Sequence, residues 1–420
     1  MFTELSNIEL PKMVKIRQKF PQECVTNVEE QLIVELNKPE ISICIQPGAR
    51  IAILTGSRGV ANIDKIITVL VREIKNRGAN PFIVPAMGSH GGATAEGQLE
   101  VLESLGITES RVGAPIISSM ETVKVGNLTS GMPVYFDKNA FAADGIIPVG
   151  RVKPHTAFRA PRESGLVKMI AIGGGKQRGA ETLHSNFNVK NFGQILLETY
   201  QCVKQHANIL FGVAVVENAY EQTAHIEAIP AEAIEAREVE LLAKAWKLMP
   251  KILIDQFDVL IVEQMGKNIS GDGMDPNITG RYATGLQGGP SYQRLVVLGL
   301  TPETHGNALG VGMADVTTRR LVSAIDPAKG YMNALTSKIV MDFVKVPMTL
   351  ETDKEAIAVA LRSCISVISG QEKVVRIKTT LDLTEIQISE ALLAQAAQRD
   401  DIEILGKPFP MQFDEQGILL

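Results

Sequence analysis

Between residues 50 and 175, short runs of β-branched and aliphatic residues alternate with longer stretches whose apolar positions recur every three or four residues. An apolar run bounded by turn residues suits a strand buried on both faces, and the wider spacing suits a helix with one apolar side. Ile51-Ala-Ile-Leu-Thr55 is therefore predicted as a strand ending in Gly56-Ser-Arg-Gly59. A helix from about Ile63 to Arg77 follows, with Gly78 as its C-terminal stop. Asn80 to Met87 is the next strand, running into Gly88-Ser-His-Gly-Gly-Ala-Thr94 before a Glu- and Leu-rich helix that reaches Leu105. Gly145-Ile-Ile-Pro-Val149 repeats the grammar and emerges into Gly150-Arg-Val-Lys-Pro-His155. Past an irregular stretch through Pro161 and Arg162, the apolar run Gly165 to Ile172 reads as a further strand end before Gly173-Gly-Gly-Lys176.

Strands alternating with helices in this way predict an α/β fold, a mostly parallel sheet covered on both faces. A second unit starts near Gln256, where the strand Phe257 to Val262 leads into the polar loop Gly266 to Asn277. The helical stretch Ala231 to Lys251, which carries Trp246, connects the two. The expected organisation is two α/β domains, 1–255 and 256–420, with mostly parallel sheets and an active-site cleft between them.

Composition narrows the function. A net charge of −5, with Lys and Arg spread along the chain, offers no basic stripe for nucleic-acid phosphates. Cys24, Cys44, Cys202 and Cys364 lie far apart without a CxxC pair, so neither a zinc knuckle nor a disulfide framework is read from them. No long uncharged stretch is present and the N-terminus lacks a signal-like apolar segment, so a cytoplasmic protein without a membrane partner is expected.

Candidate chemistry collects where predicted strands end. His90 and His155 each follow a strand directly, in turns without an apolar face to pack into, and two facing histidines form an acid/base pair. His206, His225 and His305 are read as structural side chains. Lys168 sits in an apolar run, where burial lowers an amine's pKa and makes it nucleophilic; the plainer alternative is an edge lysine snorkelling to solvent. The glycines around Gly174 suit either an anion-cradling turn or a plain tight turn. Arg58, beside Ser57, suits either a carboxylate clamp or a surface ion pair.

Taken in order, Ala86-Met-Gly-Ser-His90, Gly150-Arg-Val-Lys-Pro-His155 and the Lys168-to-His184 spacing resemble the lactate racemase family of nickel-pincer-nucleotide enzymes. The resemblance implies a racemase or epimerase of a 2-hydroxy acid. It implies that Lys168 holds the pyridinium-3,5-bisthiocarboxylic acid mononucleotide through a thioamide and that His184 ligates its nickel. His90 and His155 then serve as the catalytic histidines on opposite faces of the substrate. Arg58, with Ser57 and Gly174 beside it in the cofactor-binding set, matches a family arginine near the substrate and cofactor. Partners implied are a small hydroxy acid and the proteins that make the cofactor; a homo-oligomer stays open.

Departures from the family pattern are equally specific. The position at which the family's loop carries an aspartate holds Thr55, and the link from His155 to Lys168 is longer, with Arg159 and Arg162 adding positive charge beside the pocket. In the second domain Lys267, Asn268, Asp275, Asn277 and Arg281 suggest a more polar wall and a substrate larger or more hydroxylated than lactate. Two alternatives remain at this point. One is a zinc-dependent hydrolase or lyase in which His90, His155 and His184 bind the metal. The other is a non-catalytic protein that binds an anionic ligand.

Overall fold

The apolar runs become strands of two separate sheets in the computed structural model, which describes residues 8–186, 191–337 and 341–420. In chain order the strands are β1 (Met13–Gln18), β2 (Arg50–Thr55), β3 (Asn80–Pro85), β4 (Thr122–Asn127), β5 (Pro133–Asp137), β6 (Gly145–Arg151), β7 (Phe211–Glu217) and β8 (Thr223–Pro230). They continue with β9 (Val259–Met265), β10 (Arg294–Leu300), β11 (Val316–Thr318), β12 (Met348–Leu350), β13 (Val374–Ile377), β14 (Glu385–Ser389) and β15 (Ile402–Ile404).

The unit Pro21–Met249 is built on a sheet of order β3-β2-β6-β7-β8, parallel except for β8. Its helices include α1 (Val28–Leu36), α2 (Ile63–Asn76), α3 (Ala95–Ser104), α4 (Lys176–Ser185), α5 (Phe192–His206) and α6 (Ile234–Leu248). Strand side chains alternate between faces, and each face has its own core. Ile51, Ile53, Ile147 and Val149 pack with α1 and α2. Ala52, Leu54, Ile146 and Val216 pack with α5 and α6. Between β3 and β6 the hairpin β4–β5 stands outside the main sheet.

The run Gly165 to Ile172 is helical, contrary to the expected strand. Leu166–Lys168 form a helical turn and Met169–Gly173 a π-turn, closed by the Gly174 N–H donating to the Met169 carbonyl at 2.8 Å. A strand had no place to pair there, because both edges of β6 are taken by β2 and β7. Burial comes instead from packing Leu166, Val167 and Ile170 into the α5–α6 core.

The other unit comprises the segment up to Phe20 together with Pro250–Leu420. Its sheet runs β12-β11-β10-β9-β13-β14-β1-β15, parallel from β12 to β13 and antiparallel beyond. The division thus falls at Met249/Pro250 where 255/256 was expected, and β1 pairs within this unit, Met13 opposite Ser389. Pairing over so long a separation leaves no local trace in a six-residue strand.

Candidate functional site

The carboxyl ends of β2, β3 and β6 surround a pocket of about 190 Å³ in the Pro21–Met249 unit. From β2 the chain continues to β3 on one side, while β6 joins on the other, so the pocket lies where the winding of the sheet reverses. Ser57 and Arg58 come from the β2 end, Met87 and His90 from the β3 end, Arg151 and Lys153 from the β6 end. The helical segment contributes Lys168, Met169 and Ile172. Met169 fits because two neighbours are glycines. A Cβ on Gly150 would stand 2.9 Å from its Cε, and one on Gly56 3.1 Å.

His90 is held from two directions. Its N–H donates to the Met87 carbonyl at 3.1 Å, closing a turn in which Gly88 takes φ +60°. Its ring Nδ1 pairs with the Ser57 hydroxyl. Buried Gln98 of α3 reaches back into the turn, donating to the Gly88 carbonyl at 3.0 Å and the His90 carbonyl at 3.3 Å.

His155 rides on a loop pinched shut where Lys153 and Ser164 exchange backbone hydrogen bonds. Its N–H donates to buried Glu163 Oε2 at 2.6 Å, and Arg159 donates to its carbonyl at 2.6 Å while lying 4.9 Å from the centre of the Trp246 ring. The Ala157 N–H donates to the His155 Nδ1 at 3.0 Å. A nitrogen that accepts carries no proton, so neutral His155 has its proton on Nε2. Burial, and then the charge of Lys168, push its pKa well below the ordinary imidazole range. Burial likewise raises the Glu163 carboxyl.

Lys168 closes the short helical turn that begins at Gly165. Buried Glu238 of α6 caps the start of that turn, accepting from the Val167 N–H at 3.0 Å, and burial lifts its pKa to about 7. Gly165 is required at this cap, since a Cβ there would lie 2.5 Å from the Glu238 carboxyl carbon. His184, in the last turn of α4, stacks at 5.8 Å on Phe192, which meets Phe158 edge-on at 5.1 Å; the His155 ring lies 4.4 Å from Phe158. The charges of Lys168 and His184 both act on His155, which places the three in one neighbourhood.

Residues 5–192 match the family model of the lactate racemase N-terminal domain. This part of the chain belongs to that family. A solved structure, that of the lactate racemase apoprotein from Thermoanaerobacterium thermosaccharolyticum, is 17% identical, with 83% of this chain and 85% of that one covered at a TM-score of 0.47. No curated protein matches the chain.

Ser57, Arg58, His90, His155, Lys168, Gly174 and His184 all fall within this lactate racemase N-terminal domain. Ser57, Arg58, His90 and Lys168 share the pocket wall. Gly174 does not join them. Its N–H and carbonyl bond to Met169 and Asp137, and its Cβ position lies 2.3 Å from Phe136. The glycine run is thus a tight packing turn, and Lys176 beyond it is fully buried. Arg162 points to the Glu235 carbonyl at 2.6 Å, away from the pocket lining. Thr55 is buried, and its Oγ1 has no hydrogen-bond partner among the described residues.

His90, His155 and His184 do not gather into a three-ligand cluster among the described residues, so the zinc site of the rival expectation is not formed by protein groups. His225 pairs with Glu227 at 2.8 Å and His206 bonds the Cys202 carbonyl at 2.8 Å, as structural histidines do. The polar residues noted in the second unit are engaged there: Asn268 with Thr301, Asn277 with Tyr282 and Arg281 with Asp315. Sequence reading missed Gln98, Glu163 and Glu238, each a buried polar residue on or near a helix. Only the resulting interruption of an apolar face could have flagged them. No helix of the described residues is long and apolar enough to cross a membrane.

Proposed function

We propose that this protein racemises or epimerises a 2-hydroxy acid with a nickel-pincer nucleotide tethered to Lys168 and ligated through His184. The observation that carries the reading is the placement of Lys168 in one pocket with His90, with His155 and His184 within electrostatic reach. A lone histidine ligand fits a metal whose other donors arrive with the cofactor, and imidazole suits nickel. When bound, that group supplies a reversible hydride acceptor for the carbon bearing the hydroxyl.

The chain's own residues supply binding and proton transfer. Arg58, Lys153 and Lys168 line the pocket and no carboxylate is among its described lining residues, so an anionic ligand is favoured. In the form a base requires, the His90 Nδ1–H donates to the Ser57 hydroxyl oxygen and leaves Nε2 to take the substrate's hydroxyl proton. His155, proton on Nε2, starts as a hydrogen-bond donor.

The test is intact-mass and metal analysis of protein co-expressed with cofactor-synthesis enzymes, beside its Lys168→Ala variant. The expected result is a nucleotide-sized adduct with stoichiometric nickel, both lost in the variant. Zinc retained in both proteins without any adduct would overturn the proposal.

A further inference from the structure

Two buried polar side chains, Gln98 and Lys176, with Asp137 beside the second, join the turn that carries His90 to the helical segment 165–185 that includes Lys168 and His184. Gln98, fully buried on α3, donates its amide N–H groups to the Gly88 and His90 carbonyls at 3.0 and 3.3 Å. Its amide oxygen accepts from the Lys176 Nζ at 2.9 Å. Lys176 is itself fully buried, bonds the Pro85 carbonyl at the end of β3, and lies 3.5 Å from the buried carboxylate of Asp137. It is also the first residue of α4, with φ +54°, a left-handed conformation unusual for a lysine. A direct bond reinforces the link, the Gly88 N–H donating to the Gly173 carbonyl at 3.2 Å.

A buried lysine and glutamine are costly unless fully hydrogen-bonded, and once bonded they hold one arrangement tightly. Here the arrangement fixed is the separation between the β3 turn and the helical segment 165–185. We infer that Gln98 and Lys176 are positioning residues that set His90 at its working distance from the group held by Lys168 and His184. This rests on the reading of His90 as a base given above. Neither residue lines the pocket, so their influence passes through the backbone of the turn.

Gln98→Glu tests the inference. The carboxylate keeps the acceptor for Lys176 but no longer donates to the Gly88 and His90 carbonyls. Expected are an unchanged adduct mass and nickel content, a kcat lower by about 10²-fold at near-constant KM, and faster amide exchange at residues 88–93 with residues 166–174 unaltered. Wild-type turnover and wild-type exchange at 88–93 would overturn the inference, as would faster exchange spread equally over both segments. Gln98→Met, close in volume and uncharged, is read the same way if Gln98→Glu fails to fold. Should the unaltered protein carry no adduct and show no turnover, the functional reading fails while the exchange pattern still decides the link.

Discussion

Replacing Glu238 by Gln should stabilise the protein, and by an amount that depends on pH. Glu238 is 1% exposed and caps the turn leading to Lys168 through the Val167 N–H. Burial raises its pKa from the ordinary 4.5 to about 7. In that range the folded protein retains a proton that the unfolded chain has released, so stability falls as pH rises from about 4.5 to about 7 and is flat above. At about 1.4 kcal/mol per pH unit, the full cost is about 3 kcal/mol above neutrality. A glutamine carbonyl keeps the cap and carries no charge at any pH. Thermal unfolding across a pH series should show the variant melting roughly 5–10 °C higher at pH 8.5, with the gap narrowing steadily on acidification. A difference independent of pH, or a variant less stable at high pH, would refute the reasoning.

Two further substitutions probe packing and the histidine pair. Gly174→Ala places a Cβ 2.3 Å from the buried Phe136 ring at a φ that alanine tolerates, so overpacking alone should cost about 1–3 kcal/mol, visible as a lower melting temperature; an unchanged one would contradict the packing described. Ser57→Ala removes the partner of His90 Nδ1 and should lower kcat/KM roughly tenfold, with Ser57→Thr restoring it. Equal loss in both variants would point to space at the loop and away from the hydroxyl.

What could be read in advance follows from the range of the interactions. β2, β3 and β6 are continuous apolar runs closed by glycine turns, and Ser57 and His90 at two of their ends line the pocket, whereas His155, expected after β6, is not among its lining residues. Gly165 to Ile172 misled because a short apolar run looks alike in a strand and in a buried helical turn. The competing fact, that both edges of β6 were occupied, belongs to the whole sheet. Arg162 and Gly174 misled for a related reason, since charge and flexibility say what a residue can do and packing decides where it points. The tautomer of His155 depends on an amide two residues further on, visible only once the loop is closed by Glu163.

β1 gives the chain an order of assembly. Arg17 bonds Glu385 across 368 residues, and everything from Pro21 to Met249 forms a unit of its own in between. At a synthesis rate of roughly 5–20 residues per second, β1 waits on the order of 20–70 s for β14 and β15. For that interval a strand with Met13, Val14 and Ile16 destined for full burial has no mate, while the pocket-bearing unit gains its last residue, Met249, before β14 is made. The nascent protein is thus most exposed to mispairing at β1.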